Sequence, residues 1–353
     1  MKYLFSLILF FFQFGAFAQA TYTIGGTVIE ATGAKIQSAT VFIAGTQNIT
    51  ATDEQGNFVF RNLLPGNYQL VVNMMGYNSH KQSVTIKSRS ETLNIIITGK
   101  KNALNEVVVG AKKQLPKDLK RFTRFFLGYM RDPQLCRIVN PGLINFSHTD
   151  TTLTATTDDF LIIENEILGY RVKYLLKSFF CKPNGFYFFD GDYTFEPLVG
   201  TAKQQRIWNK NRKTAYEGSA MHFLRALYAG TTRKEGFLVY RSTTDDALIL
   251  ERNPSDPQQF VTRKDSNSIS VNIKPMVLVV QNKEKAAQLD VISNKEPKKY
   301  IMGIGLPQRY TLFKLKAEVD SRGSITGRDT YLDFGYWGVF GVANLLPFEY
   351  KPE

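Results

Sequence analysis

The chain has 353 residues, 43% of them hydrophobic and 21% charged, with 44 Lys+Arg against 31 Asp+Glu and a formal net charge of +13. That composition marks a folding chain rather than a disordered one, and the length predicts two domains. Two cysteines cannot staple a small disulfide scaffold, and a single unbroken apolar run excludes a multi-span helical membrane protein.

That run opens the chain and is read as a secretory signal over residues 1–18. Lys2 is its positive start, and Leu4 to Phe14 is apolar apart from Ser6 and Gln13. Ala16-Phe17-Ala18 supplies the small residues that a signal peptidase requires. No cysteine follows, so the lipid anchor of a lipoprotein is not expected. The mature protein is predicted to be exported.

From Thr21 to Thr98 the apolar residues recur every second position. The runs are Ile24/Gly26/Val28, Ala39/Val41/Ile43, Phe58/Phe60, Tyr68/Leu70/Val72, Val84/Ile86 and Leu93/Ile95/Ile97. Alternation of this kind buries one face of each strand. Gly33, Asp53 to Asn57, Pro65-Gly66-Asn67 and Gly76 punctuate the runs as turns. About seven short strands with regular turns predict an all-β antiparallel sandwich. These residues also carry a resemblance. Ile24-x-Gly26-x-Val28, Ala39-x-Val41-x-Ile43-x-Gly45-Thr46, Thr52-Asp53-Glu54-x-Gly56-x-Phe58-x-Phe60, Leu64-Pro65-Gly66-x-Tyr68 and Gly76-Tyr77 resemble the carboxypeptidase-regulatory-like domain. The resemblance implies a transthyretin-like (prealbumin-like) Greek-key sandwich over residues 19–100. It implies a non-catalytic appendage of an exported Gram-negative envelope protein. It does not imply peptidase activity. A zinc carboxypeptidase needs an H-x-x-E pair and a distant His, and none of His80, His148 and His222 has a Glu three residues on.

Leu104 to Gly110 resembles the segment after such a module in TonB-dependent outer-membrane transporters. A 22-strand barrel at about 10 residues per strand would consume nearly all of the 243 residues that remain, so a transporter is not expected. Residues 101–116 are taken as a linker, and 117–353 as an α+β domain, mostly antiparallel with one long helix. Residues 19–110 carry a net +2 and residues 111–353 a net +10, which supports a boundary near Gly110.

In the second domain, Pro116 to Met130 has apolar residues at helical spacing, with Lys117, Lys120, Arg121 and Arg124 off that stripe. Two readings stand: a surface helix packed on a core, and a basic amphipathic helix resting on an anionic surface. Strands are predicted over 153–163, 171–178, 186–190 and 193–195, with Asp190-Gly191-Asp192 as a hairpin turn rather than a calcium loop. Ala202 to Ala229 is the long helix, stopped by Gly230, and Gly218 within it predicts a break or a close contact. Further strands are predicted over 237–241, 247–251, 269–273, 276–280, 309–319 and 330–334, with Asp320 to Gly323 as a turn. The region resembles those that follow regulatory-like modules in other envelope proteins, which implies no activity.

Candidate ligand or partner contacts on the long helix are Trp208, Arg212, Tyr216, His222 and Arg225. Cys136 and Cys181 either pair in an oxidising compartment or stay as two buried thiols. No G-x-S-x-G elbow, P-loop, Rossmann fingerprint or C-x-x-C is present, and no catalytic, metal or cofactor residue is assigned. The expected function is a non-enzymatic envelope protein contacting a protein, a polysaccharide or an anionic outer-membrane surface; nucleic acid is not an expected partner. The alternatives are a hydrolase with its site on the 202–229 helix and a small outer-membrane β-barrel.

Overall fold

The structure is a computed structural model that describes residues 20–100, 115–128, 134–149, 151–243, 250–251, 253–282, 284 and 309–352. The signal segment 1–18, nearly all of the 101–116 linker and the 104–110 resemblance lie outside the described residues, as does most of the strand expected at 247–251.

Seven strands build the N-terminal unit: β1 (Tyr22–Glu30), β2 (Thr40–Ile43), β3 (Ile49–Ala51), β4 (Asn57–Leu63), β5 (Gly66–Asn73), β6 (His80–Ile86) and β7 (Glu91–Ile97). They form two sheets, β4-β1-β7 and β3-β2-β5-β6, as the alternation predicts. Ile24, Val28, Val41, Ile43, Phe58, Phe60, Leu70, Val72, Ile86, Ile95 and Ile97 meet in one core between them. The turn after Asp53 is made as its residues require: Gly56 takes φ +75, and the Asp53 carboxylate accepts from the Gln55 and Asn57 amides. Those bonds hold the Asp53 carboxyl below its ordinary range. One pairing departs from the antiparallel expectation. β1 and β7 run parallel, because the chain passes through the opposite sheet before it returns beside its first strand. Gly26 permits that approach, since a Cβ there would overlap the Leu93 backbone.

Among the described residues the C-terminal part has two open sheets and three α-helices. The first sheet holds β8 (Cys136–Ile138), β9 (Ile144–Thr149), β10 (Thr152–Thr157), β11 (Leu161–Asn165), β12 (Tyr170–Cys181) and β13 (Tyr187–Pro197). The second holds β14 (Phe237–Arg241), β15 (Val261–Arg263), β16 (Ser268–Gln281), β17 (Tyr310–Asp320) and β18 (Ile325–Gly335). Both sheets use one plan. A long strand, β12 or β16, pairs two short strands in succession on one edge and a long hairpin partner on the other. The described strands thus make open sheets and not the closed barrel held as an alternative. Helix α1 (Leu115–Leu127) buries Phe122 and Phe126 against the first sheet, and α3 (Ala220–Ala229) buries Phe223, Leu224 and Leu227 against the second.

Two sequence expectations need correction, and two that were left open take one form. The 202–229 helix is two helices, α2 (Ala202–Tyr216) and α3, broken where Gly218 takes φ +80 and Ser219 caps α3. Asp190-Gly191-Asp192 is not a turn: β13 runs through it, and the hairpin turns at Lys182 to Gly185 instead. Residues 153–163 are two strands, β10 and β11. Of the two states left open for Cys136 and Cys181, the structure has buried thiols without a disulfide. Cys136 pairs with Asn165 and Asn165 with Tyr170, at the start of β12, whereas Cys181 ends that strand. At about 3.3 Å per residue the two lie roughly 35 Å apart along β12, beyond any bridge.

The sandwich is docked on the C-terminal part through the outer face of its β2–β5 sheet. Phe42 and Val71, on the side away from the sandwich core, are buried with Phe160 and Leu175, and the rings of Phe42 and Phe160 meet edge-on at 5.4 Å. The turn after β2 reaches β13: Gly45 N–H donates to Tyr193 O (2.7 Å), and Phe195 N–H donates to Thr46 O (3.0 Å). Asp192, 2% exposed, sits between Lys81 of the sandwich and Lys177 of β12, each at 2.5 Å. Arg322, in the turn predicted at 320–323, donates to Asn67 O (2.7 Å) and covers the Tyr68 ring at 4.1 Å.

Candidate functional site

The five candidate residues of α2 and α3 fall into two groups. Trp208 is buried, and its indole N–H donates to Glu166 O (2.8 Å); its ring fills the space beside Gly169 and Gly200. Arg212 donates to Leu168 O and Gly169 O and lies 4.2 Å above the Tyr170 ring. This pair grips the tight turn between β11 and β12. Tyr216, His222 and Arg225 come together at the helix break. The Tyr216 and His222 rings stack at 4.7 Å, and Arg225 lies 5.3 Å from the Tyr216 ring. Nδ1 of His222 accepts from Gly218 N–H (3.1 Å), so its proton sits on Nε2, which faces Glu235 at 3.3 Å. Arg225 spends its donors on Arg322 O, Tyr350 O and Phe348 O, pinning the C-terminal segment. These hydrogen bonds of Trp208, Arg212 and Arg225 go to backbone carbonyls. Among the described residues no group of three or more His, Cys, Asp or Glu is placed to hold a metal.

An aromatic opening lies elsewhere. A cleft of about 530 Å³ separates β13 from β18, where the two C-terminal sheets meet edge to edge. Its walls are mostly aromatic. Tyr174 and Tyr193 stack at 5.6 Å with their planes 11° apart, and Phe186 faces Phe334 at 6.2 Å. Trp337, which also lines the cleft, is held by donating to Gly218 O (2.7 Å), so the helix break positions a cleft residue. Few polar groups converge there. Tyr331 donates its hydroxyl to Asp333 (2.9 Å), and Arg328 pairs with Asp190 across the two edges (3.1 Å).

The electrostatics are those of a dry site. Burial pushes the Tyr187 and Tyr193 phenols up to about 12 and raises Tyr174 and Tyr331 well above their ordinary value. Burial also lifts the Asp333 carboxyl above its ordinary range, against the hydrogen bond from Tyr331. The phenols therefore stay protonated near neutral pH and act as hydrogen-bond donors and acceptors, not as nucleophiles. An apolar wall with a few placed polar groups is the usual make-up of a small-molecule site. The sequence reading missed these residues. One local signal was available: Tyr331-x-Asp333 sets a phenol and a carboxylate on one face of a strand.

Residues 24–109 match the family model described as CarboxypepD_reg-like domain, so the chain carries that domain at its N-terminus. No curated protein matches the chain. Similar solved structures include 3-chlorocatechol 1,2-dioxygenase from Rhodococcus opacus 1CP, at 11% identity and TM-score 0.21, over 24% of this chain and 61% of that one. The minor pilin GBS52 of Streptococcus agalactiae is similar at 16% identity and TM-score 0.21, over 25% and 48%. Catechol 1,2-dioxygenase of Acinetobacter radioresistens is similar at 14% identity and TM-score 0.22, over 26% and 56%. The chain spans less than two thirds of the length of each.

Proposed function

We propose that this is an exported, non-enzymatic cell-envelope protein whose CarboxypepD_reg-like sandwich braces a C-terminal binding domain, and that the aromatic cleft between β13 and β18 holds a polysaccharide chain. Export rests on the signal read at residues 1–18. Among the described residues no helix is long and apolar enough to cross a membrane. The bracing role rests on the docked sheet: Phe42 and Val71 are covered within the chain, so the β2–β5 outer face is not a free surface for a partner.

One observation carries the ligand class. The cleft pairs the aromatic rings of Phe186, Phe334 and Trp337 with the hydrogen-bonding couple Tyr331–Asp333 and the Arg328–Asp190 pair. A sugar ring has the same division, with apolar C–H faces for aromatic rings and hydroxyls at its rim for phenols and carboxylates. The phenols, with their raised pKa values, offer that hydrogen bonding without ionising.

The test is calorimetric titration of the exported chain with envelope-derived oligosaccharides, alongside the fluorescence of Trp337. Binding is expected, and Tyr193→Ala or Tyr331→Ala should weaken it by at least about tenfold while the fold is retained. Mass spectrometry of the mixture should recover the sugar intact. A shortened product would replace this reading with a hydrolase, and an absence of heat across the panel would remove the polysaccharide.

A further inference from the structure

A second surface, beside the turn of the β12–β13 hairpin, is strongly cationic. A groove of about 560 Å³ runs between α1 and the hairpin turn, and its walls include Lys117, Lys120, Arg121, Arg124 and Lys182. The single acid of α1, Asp118, does not offset them. It is 6% exposed and turned inward onto Nε2 of His148 at 3.0 Å, so the outer face of the helix is wholly basic. Among the described residues no ion pair engages Lys117, Lys120, Arg121 or Lys182. Like charges this close repel one another, and these four cations, without an ion pair among the described residues, carry a field that attracts an external anion.

The groove is tied to the hairpin and has an apolar neighbour. Arg121 donates to Cys181 O (3.3 Å), tying the helix to the end of β12. Beyond the turn Phe186 and Phe188, which also line the aromatic cleft, are each 41% exposed. The Lys182 ammonium lies 5.8 Å from the Phe186 ring, so cation and aromatic share one rim. The apolar stripe of α1 itself is used up, because Phe122, Phe126 and Leu127 are buried in the core. The helix therefore does not sink into a bilayer, and only its charged side is available.

We propose that this rim is a peripheral docking site for an anionic phospholipid surface: the α1 and Lys182 cations meet headgroup phosphates, and Phe186 and Phe188 enter the headgroup boundary. Cations supply the attraction and exposed aromatics the preference for the interface, which is the combination that a charged lipid surface fits.

The experiment is co-sedimentation of the exported chain with sonicated vesicles, comparing phosphatidylcholine alone with a mixture holding about one-third phosphatidylglycerol. The chain should pellet with the anionic vesicles only and be released by high salt. Charge reversal at three exposed positions, Lys117→Glu, Lys120→Glu and Lys182→Glu, should lower the partition by at least about 100-fold at unchanged melting temperature. Phe188→Ser, with the charges kept, should lower it by a smaller factor. Three results overturn the proposal: equal binding to neutral vesicles, unchanged binding after charge reversal, and displacement by millimolar inorganic phosphate, which would make the groove a discrete anion pocket. A chain that stays in the supernatant with both vesicle types overturns it as well.

Discussion

Asp333 is the residue whose ionisation the fold opposes most plainly. Burial raises its pKa above the ordinary 3.8, with only the Tyr331 hydroxyl and a backbone contact favouring the charged form. The folded chain thus binds this proton more tightly than the unfolded chain does. Between the ordinary value and the raised one the native state holds more protons, so stability falls as pH rises through that window and is flat above it. Asp333→Asn cannot ionise and keeps an acceptor for Tyr331. Its melting temperature should exceed that of the parent near pH 7, and the gap should close as pH falls below about 4. A gap that is the same at both pH values would mean that the carboxyl is not desolvated in solution.

At the scale of single elements, β13 shows what local reading misses. Asp-Gly-Asp between aromatic runs has turn chemistry, yet the strand passes straight through it, because each residue answers a distant neighbour. Asp192 meets Lys81 and Lys177, Asp190 meets Arg328, and Gly191 leaves room for the Tyr174 ring and the Leu175 carbonyl. A methyl group at Gly191 would overlap both. Gly191→Ala should therefore cost about 1–3 kcal/mol through overpacking, read as a shift in the urea midpoint. A residue in a true exposed turn would tolerate the change. The sandwich was legible for the opposite reason: its strands alternate about one core, so period two alone placed Ile24, Val28, Val41 and Leu70 inside. The helix break was legible too, since Gly218 is costly in any continuous helix. The cleft was not. Tyr193 and Tyr331 sit on edge strands of different sheets and come together only once both sheets are packed, a relation no spacing encodes.

The whole molecule is held by a contact that the sequence does record, though not as periodicity. β2 and β5 carry Phe42 and Val71 at positions that alternation assigns to solvent, so both faces of those strands are apolar. A sheet apolar on both faces is covered on both, and here the second cover is Phe160 and Leu175. Removing the ring by Phe42→Ala should cost roughly 3–5 kcal/mol. The loss falls between two bodies with separate cores rather than inside either. The parent should therefore melt in one calorimetric transition, and the variant in two, with the sandwich released from the C-terminal sheets while the Gly45, Thr46 and Arg322 hydrogen bonds are too few to hold it. If the variant instead melts in one transition at a lower temperature, the sandwich depends on its partner to fold, and the brace works in both directions.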